Sequence, residues 1–285
     1  MLNITRLRND LIANLLDWKL RGARIGFVPT MGALHAGHLS LIEEARKHCD
    51  HVVVSIFVNP TQFNNSQDLA HYPRTEEQDL EALAATHCHM AYLPSVGEVY
   101  PKDYVQPLYA LEELEKRMEG LHRPGHFQGV AAVLDRFFQD VAPDVACFGE
   151  KDFQQLAVVR KLVEIRQLPI EIIGCPTLRE PNGLAMSSRN MRLRSETRSG
   201  AGFIHDGLLE AAETLAKRWD LSVLTQIQER WNSLPNVRTE YLELASENNF
   251  STPQKDSPMA DKRWRLFTAV EVEGVRLIDN WPVQA

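Results

Sequence analysis

Two histidines near the start of the chain form a pattern suited to phosphate chemistry. His35, Gly37 and His38 follow an apolar run at residues 25–28 and precede a stretch with helical periodicity. A helix that starts after a strand presents unpaired N–H groups and a partial positive charge, where a phosphate can bind. The two imidazoles could also donate hydrogen bonds to charge that develops on a phosphorus atom. The alternative is that both histidines only cap the helix or pack against it.

A second polar segment, Gly149-Glu150-Lys151-Asp152, directly follows the apolar run at residues 145–148. Ligands of open α/β sheets bind at the carboxyl ends of the strands, so we predict that Lys151 reaches a phosphate there. Taken alone, the segment is equally compatible with a solvated turn in which Asp152 caps the next helix.

A third polar segment, Met186-Ser187-Ser188-Arg189-Asn190, lies beyond the Asn182-Gly183 turn. Two hydroxyls and an arginine on a loop suit a lid that closes over a triphosphate, with Arg189 as the charge clamp. The alternative is an ordinary polar loop.

The elements that must position these segments can be read from the hydrophobic pattern. Strand-length apolar runs alternate with stretches of helical periodicity, and the runs lie at residues 25–28, 52–58, 90–93, 145–148 and 170–174. Strands that are apolar on both faces and alternate with helices indicate a parallel sheet. We therefore predict an α/β fold, with a Rossmann-like parallel sheet and helices on both faces, over residues 1–176. Residues 111–118 are predicted to form a solvated amphipathic helix.

Beyond residue 176 the pattern changes to two helices followed by alternating strands at residues 241–244, 266–272 and 275–278. This pattern predicts a smaller C-terminal α+β domain over residues 177–285, which carries the lid. Residues 246–262 are rich in Ser, Asn, Asp and Pro, so we expect a mobile surface loop there.

Composition excludes several classes of function. Lys and Arg number 31 against 38 Asp and Glu, a net charge of −7, which argues against a nonspecific nucleic-acid surface. The apolar runs are far shorter than the roughly 18 residues of a membrane span, so we expect no membrane partner. Four cysteines without Cys-x-x-Cys spacing are typical of reduced cytoplasmic thiols. No G-x-G-x-x-G occurs, which disfavours a dinucleotide site.

Taken together, the histidine and Ser-Ser-Arg segments are similar to the paired signatures of the adenylyl-transferring superfamily that includes class I aminoacyl-tRNA synthetases. Several longer segments, in register, resemble the pantothenate synthetase family (pantoate–β-alanine ligases). They are residues 29–38, 54–63, 72–75, 123–127, 147–155 and 187–190. The resemblance is dense over residues 1–195 and returns at residues 275–280.

The resemblance implies a homodimeric enzyme that uses ATP and Mg²⁺ to condense pantoate with β-alanine through a pantoyl adenylate, releasing AMP and pyrophosphate. The resemblance implies His38 as proton donor, and from the phosphate chemistry we predict that His35, His38, Lys151 and Arg189 are catalytic, stabilising the reacting phosphorus and the departing pyrophosphate. Pantoate and β-alanine would contact Gln62, and pantoate would contact Gln155. The implied ATP-binding positions are Met31, Gly32, Ala33, Leu34, His35, Ala36, Gly37, His38, Gly149, Glu150, Lys151, Asp152, Leu178, Met186, Ser187, Ser188 and Arg189.

The resemblance assigns other positions less specifically. Asn59, Tyr72, Asp79 and Arg123 match further active-site or dimer-contact positions. Gln78 stands where the family often has an acidic residue, so the magnesium ligands stay unassigned, with Asp79 as the candidate. Two other functions stay open: a nucleotidylyltransferase that acts on a phosphate ester, and a nonenzymatic nucleotide-binding subunit.

Overall fold

A computed structural model describes residues 2–253 and 263–284, which fold into two units. The first unit comprises Met1–Glu115 and Arg123–Pro176, and the second comprises Lys116–His122 and Thr177–Ala285. The structure thus assigns a short segment of the predicted N-terminal domain to the C-terminal unit.

Six parallel strands form the sheet of the first unit, in the order β1-β4-β3-β2-β5-β6. They are β1 (Asn3–Thr5), β2 (Ile25–Thr30), β3 (His51–Ile56), β4 (Met90–Tyr92), β5 (Val145–Gly149) and β6 (Glu171–Cys175). The sheet confirms the predicted α/β class. Only β1 was not predicted from the pattern, because Asn3–Thr5 contains a single apolar residue and therefore forms no apolar run.

The helices of both units follow in chain order. They are α1 (Arg8–Leu20), α2 (Ala36–Arg46), α3 (Ser66–Ala70), α4 (Glu76–Ala84), α5 (Val96–Val99), α6 (Met118–His122), α7 (His126–Val141), α8 (Phe153–Arg166), α9 (Ser195–Gly200), α10 (Phe203–Arg218) and α11 (Ser222–Asn232). Among the described residues, no helix is both long and apolar enough to cross a membrane.

Helices cover both faces of the six-stranded sheet because successive strand residues point to opposite sides. In β2, the fully buried Ile25 and Phe27 join one apolar core with residues of α1, α7 and α8. Val28, equally buried, joins a second core with residues of α2 and α4. The predicted arrangement of a parallel sheet between two helical layers is therefore confirmed.

The predicted solvated helix at residues 111–118 is wrong. A 3-10 turn, Glu112–Glu115, is followed by the short helix α6, in which Glu119 is buried. Its carboxylate accepts hydrogen bonds from Tyr241 Oη at 2.7 Å and from Arg276 Nη2 at 2.7 Å. These partners are more than a hundred residues away in sequence, so a local charge pattern could not reveal them.

The second unit contains a three-stranded antiparallel sheet, in the order β7-β8-β9. Its strands are β7 (Val237–Ser246), β8 (Trp264–Val272) and β9 (Val275–Val283), and α10 and α11 share their core. This confirms the predicted smaller α+β part. Of the predicted mobile loop, residues 246–253 end β7 and form a turn in which Phe250 is buried. The rest of that loop, residues 254–262, lies outside the described residues.

Candidate active site

The order of strands in the first unit reverses between β2 and β5, which are hydrogen-bonded neighbours although β3 and β4 separate them in sequence. Phe27 in β2 pairs with Ala146 in β5. In open α/β sheets, ligands bind outside the carboxyl ends of the strands at such a point. The histidine segment, residues 35–38, follows β2, and Lys151 follows β5. Two of the predicted phosphate-binding segments therefore lie at one edge of one sheet.

The histidine pair caps the helix that it opens. His35 is the N-cap of α2, and the Gly37 N–H donates to Nδ1 of His35 at 3.1 Å. In return, the His35 N–H donates to Nδ1 of His38 at 3.3 Å. The two rings lie 4.0 Å apart between centroids. Because each Nδ1 accepts a hydrogen bond, each neutral ring carries its proton on Nε2, so capping leaves both histidines with an Nε2–H donor.

The environment of His38 keeps its ring neutral. Desolvation lowers the pKa of His38 to about 3, and the electrostatic effects of the neighbouring His35 and Lys151 act in the same direction. A ring with this pKa carries no charge at pH 7, and it donates a hydrogen bond without releasing a proton. The structure therefore favours the hydrogen-bonding chemistry that was predicted for the motif from its residues.

The segment after β5 forms the connection to α8. Lys151 lies in a 3-10 turn, its side chain is 15% exposed, and its Nζ lies 3.7 Å from Oδ2 of Asp152. Asp152 precedes α8 without a side-chain hydrogen bond to the helix, so the capping alternative for Asp152 is wrong. Gln155 lies half-buried in the first turn of α8. The 3-10 turn thus carries the ammonium group of Lys151, and Gln155 lies in the helix that follows this turn.

A hydrogen-bond network orients Gln62, the predicted substrate-binding amide. Nδ2 of Asn59 donates to Oε1 of Gln62 at 3.1 Å and to the carbonyl of Gly129 at 3.1 Å. Tyr100 Oη donates to Oδ1 of Asn59 at 2.9 Å. With its oxygen engaged, the Gln62 amide directs its NH₂ group toward Met31 Sδ, at 3.1 Å. The structure therefore brings Gln62 to Met31, the first of the predicted ATP-binding residues 31–38.

Two other predicted positions surround the Gln62 turn. Arg123 Nη2 donates to the backbone carbonyl of Gln62 at 3.3 Å. Tyr72 is buried and packs its ring against Phe63, with 5.6 Å between the centroids. Both residues contact the segment that carries the predicted substrate amide.

Asp79, the candidate magnesium ligand, lies in α4 and is 2% exposed. Its carboxylate accepts hydrogen bonds from the N–H groups of Ala33 and Leu34, at 2.9 and 2.7 Å, and from Thr75 Oγ1 at 3.2 Å. A magnesium ligand in an enzyme of this kind shares its ion with water and substrate phosphates, and a buried carboxylate with three donors does not fit that role. In the described ranges, no group of three or more His, Cys, Asp or Glu side chains could hold a metal ion.

The Ser-Ser-Arg-Asn segment belongs to the second unit. Ser187 Oγ accepts from the N–H of Arg189 at 3.3 Å, at the start of a 3-10 turn. The side chain of Asn190, 1% exposed, donates to Oε1 of Glu180 at 2.7 Å and to the carbonyl of Ala185 at 3.0 Å. The segment is therefore held by hydrogen bonds of the Asn190 side chain.

The other predicted nucleotide positions of this unit are Leu178 and Met186. The carbonyl of Leu178 accepts from the N–H of Met186 at 2.9 Å, next to a single antiparallel bridge between Arg179 and Ala185. The Leu178 side chain is exposed and Ser188 is buried. The Leu178 and Met186 positions are thus in direct contact.

Residues 3–282 match the family model described as pantoate-beta-alanine ligase. The chain belongs to the pantoate–β-alanine ligase family. Among curated relatives, the pantothenate synthetase of Ruegeria sp. (strain TM1040) is 45% identical over 278 residues, 97% of this chain and 98% of the relative. That of Porphyromonas gingivalis is 46% identical over 264 residues, 92% of each chain.

Solved structures agree with this membership. The pantothenate synthetase of Thermus thermophilus superposes with a TM-score of 0.90 at 38% identity, covering 99% of this chain and 100% of that one. The pantoate-beta-alanine ligase of Francisella tularensis, complexed with beta-gamma ATP and beta-alanine, gives a TM-score of 0.83 at 34% identity, covering 100% and 99%. The predicted family resemblance, fold class and ligase class are therefore confirmed.

Residues that support the site of this pantoate–β-alanine ligase family member were missed from the sequence. Tyr100 and Gly129 act through contacts with Asn59 that are distant in sequence, and no local pattern distinguishes them. Thr75 lies in the segment 72–75 that resembles the family, but its hydrogen bond to Asp79 was not predicted. Glu180 could have been found, because it opens the Glu-Pro-Asn-Gly turn that precedes the Ser-Ser-Arg-Asn segment.

Proposed function

We propose that this chain condenses pantoate with β-alanine, using ATP, through an enzyme-bound pantoyl adenylate and with release of AMP and pyrophosphate. The observation that carries the proposal is the pair of histidine Nε2–H donors at the carboxyl end of β2, beside the Lys151 turn after β5. Family membership supports pantoate and β-alanine as the substrates. The ligands in the Francisella tularensis structure support ATP and β-alanine.

In the first step, a carboxylate oxygen of pantoate attacks the α-phosphorus of ATP and the bond to the pyrophosphate oxygen breaks. Adenylation is needed because a carboxylate does not react with an amine at neutral pH, whereas an acyl adenylate has AMP as a good leaving group. Charge builds up on the phosphorus oxygens and on pyrophosphate, so the protein acts by positioning and by electrostatic stabilisation. His35 and His38 would donate from Nε2, and Lys151 and Arg189 would neutralise the phosphates.

In the second step, the amine of β-alanine attacks the acyl carbon of the adenylate, loses a proton and expels AMP. Gln62, whose oxygen accepts from Asn59 and whose NH₂ group faces Met31 Sδ, would donate to the pantoate part without adding charge. Gln155, near the start of α8, would contact pantoate in the same way. No cysteine or serine nucleophile takes part in either step.

The proposal includes further ATP contacts. The nucleotide would contact residues 31–38, residues 149–152, Leu178 and residues 186–189. Mg²⁺ would accompany the triphosphate, with coordination mainly from phosphate oxygens and water. No step depends on a protein ligand to the metal.

The proposal also includes a homodimer that works in the cytoplasm. The resemblance to the family supports the dimer, and the four free thiols, Cys49, Cys88, Cys147 and Cys175, suit a reducing compartment. Sedimentation of the purified chain tests the dimer, because a monomer at micromolar concentration would contradict it.

Incubation of the purified chain with ATP, Mg²⁺, pantoate and β-alanine tests the function. We expect AMP and pantothenate in equal amounts, and pantoate-dependent exchange of labelled pyrophosphate into ATP when β-alanine is left out. A stable nucleotide product without any need for an amine would instead indicate the nucleotidylyltransferase. ATP binding without turnover would indicate the nonenzymatic nucleotide-binding subunit.

A further inference from the structure

The turn that leads from β2 to the histidine pair has an unusual backbone. Gly32 and Ala33 both have positive φ angles, 79° and 49°. Positive φ is uncommon for a residue with a side chain, and it persists only where surrounding contacts enforce it. In this conformation, the N–H groups of Ala33 and Leu34 converge on one acceptor.

That acceptor is the carboxylate of Asp79. Oδ2 accepts from the Ala33 N–H at 2.9 Å, and Oδ1 accepts from the Leu34 N–H at 2.7 Å. Successive backbone N–H groups in such a turn form a concave anion site, which elsewhere in proteins binds phosphate. Here an internal carboxylate occupies it, from a residue 45 positions beyond Leu34 in sequence.

The surroundings of Asp79 hold its carboxylate in one position. Thr75, the N-cap residue of α4, makes no side-chain bond to the N–H groups of its own helix and instead donates from Oγ1 to Oδ1 of Asp79 at 3.2 Å. On the other side, a Cβ at Gly32 would lie 2.9 Å from Oδ2 of Asp79 and 3.1 Å from Cγ2 of Ile56. Glycine is therefore required at position 32 both by its φ and by the closeness of Asp79.

We infer that Asp79 is a positioning residue for the histidine pair, and not a ligand of magnesium. By fixing the N–H groups of Ala33 and Leu34, it sets the direction in which the chain enters His35, the N-cap of α2. The inference rests on the proposed function for its kinetic consequence, because it assumes that His35 and His38 contact the reacting phosphate. The inference that Asp79 fixes the turn before His35 does not depend on any substrate.

Asp79→Asn tests the inference at nearly constant volume. The variant keeps one acceptor oxygen, but its NH₂ group must face a backbone N–H, so at least one hydrogen bond to the turn is lost. Glu77→Gln is the matched control, since it removes one negative charge from an exposed position of the same helix.

Hydrogen exchange followed by mass spectrometry on peptides that span residues 31–38 gives a readout that needs no activity. We expect the amides of Ala33 and Leu34 to exchange at least about tenfold faster in Asp79→Asn than in the parent chain, because they lose a charged acceptor. Glu77→Gln should match the parent. Unchanged exchange in Asp79→Asn would overturn the inference. This measurement stays decisive even if the chain catalyses no pyrophosphate exchange, so it separates the inference from the proposed function.

Pantoate-dependent pyrophosphate exchange, measured against Mg²⁺ concentration, distinguishes positioning from metal binding. For Asp79→Asn we expect kcat to fall on the order of 10- to 100-fold at saturating ATP and Mg²⁺, because a small misplacement of catalytic groups has an effect of this size. The Mg²⁺ concentration for half-maximal rate should stay within about twofold, since the ion is held mainly by phosphate and water. A large rise in that concentration, with the rate restored by excess Mg²⁺, would overturn the inference.

Thr75→Val keeps the inference testable if Asp79→Asn does not fold. It removes only the third hydrogen bond to the carboxylate, so we expect faster exchange of the same two amides and a kcat lowered a few-fold at unchanged Mg²⁺ dependence. Suppose that Asp79→Asn does not fold and Thr75→Val does. If Thr75→Val then shows the amide exchange and the kcat of the parent chain, the inference that Asp79 is a positioning residue is wrong.

Discussion

The histidine segment and the Ser-Ser-Arg-Asn segment of this chain are supported in opposite ways. In the first unit, the turn before His35 is held through its backbone N–H groups, which donate to the buried carboxylate of Asp79. In the second unit, the Ser-Ser-Arg-Asn segment is held through a side chain, because Asn190 donates to Glu180 and to a backbone carbonyl. The hydrogen bonds to Asp79 join residues that are 45 and 46 positions apart in sequence. The hydrogen bonds of Asn190 join residues that are only 10 and 5 positions apart.

This difference bears on the chemistry assigned to each segment. A carboxylate that accepts hydrogen bonds from two successive backbone N–H groups holds that backbone strongly and in a defined direction. It suits a segment whose two histidines, in the proposed mechanism, are placed at a reacting phosphorus. A single side-chain amide is a weaker attachment, which suits a segment that supplies one long and adaptable guanidinium, Arg189.

The largest expected effect lies in the first segment. We expect His38→Ala to lower the rate of pantoate-dependent pyrophosphate exchange on the order of 10²- to 10³-fold, as loss of a transition-state hydrogen-bond donor does. His38→Gln, which keeps an NH₂ donor, should retain more activity than His38→Ala. His87→Ala, at an exposed histidine of the same unit, is the control. Equal rates for His38→Ala and the control would remove His38 from the mechanism.

A smaller effect is expected when the support of the second segment is removed. Asn190→Ala should lower the pyrophosphate-exchange rate about tenfold, and it should cost about 1–3 kcal/mol of unfolding free energy because Glu180 and a buried carbonyl lose a donor. Urea titration and exchange kinetics measure the two effects. Asn248→Ala, at an exposed asparagine of the same unit, is the control. If Asn190→Ala proved more damaging than Asp79→Asn, the contrast between the two supports would be reversed.

The lowered pKa of His38 predicts a pH dependence of stability in the first unit. The unfolded chain, in which histidine has a pKa near 6.5, binds a proton that the folded chain rejects until about pH 3. The contribution of His38 to stability is therefore complete above pH 6.5 and decreases as the pH falls toward 3. Since the residue as a whole is half-buried, we expect about 1 kcal/mol between pH 7 and 5.5.

Urea unfolding at these two pH values, with His38→Gln as the comparison, measures this contribution. The difference between the two pH values should be smaller in His38→Gln than in the parent chain. An equal difference in both would mean that the folded chain protonates His38 as readily as the unfolded one.

The smallest effect is expected at the ion pair between Arg198 and Glu180, the residue that accepts a hydrogen bond from Asn190. Arg198 Nε donates to Oε2 of Glu180 at 2.9 Å, but its side chain is 44% exposed. Exposed ion pairs contribute little, so Arg198→Ala should change the unfolding free energy by less than about 1 kcal/mol and the rate by no more than about twofold. A tenfold loss of rate would show that Glu180 needs its charge partner to hold Asn190.

Much of the fold could be predicted from the pattern of apolar residues. Fully apolar runs such as residues 52–58 are typical of strands buried on both faces, and their alternation with helices indicates a parallel sheet. Two short elements, β1 and α6, were missed or misjudged, because contacts distant in sequence stabilise them. Glu119 illustrates this. Its charge predicted an exposed position, but Glu119 is buried and accepts a hydrogen bond from Arg276.

By itself, the sequence determined the backbone contacts that are open to the histidine pair. His35 and His38 are three residues apart at the start of a helix, so the spacing alone lets each ring accept from the backbone of this short segment through Nδ1. The same local logic identified the family, because its segments are contiguous.

Only the tertiary structure decided how that pair is held and charged. Asp79 reaches the turn before His35 because α4 packs beside the carboxyl end of β2, and desolvation lowers the pKa of His38 because the surrounding chain excludes water. Both effects depend on which groups meet across the fold, and residue types along the chain do not specify that.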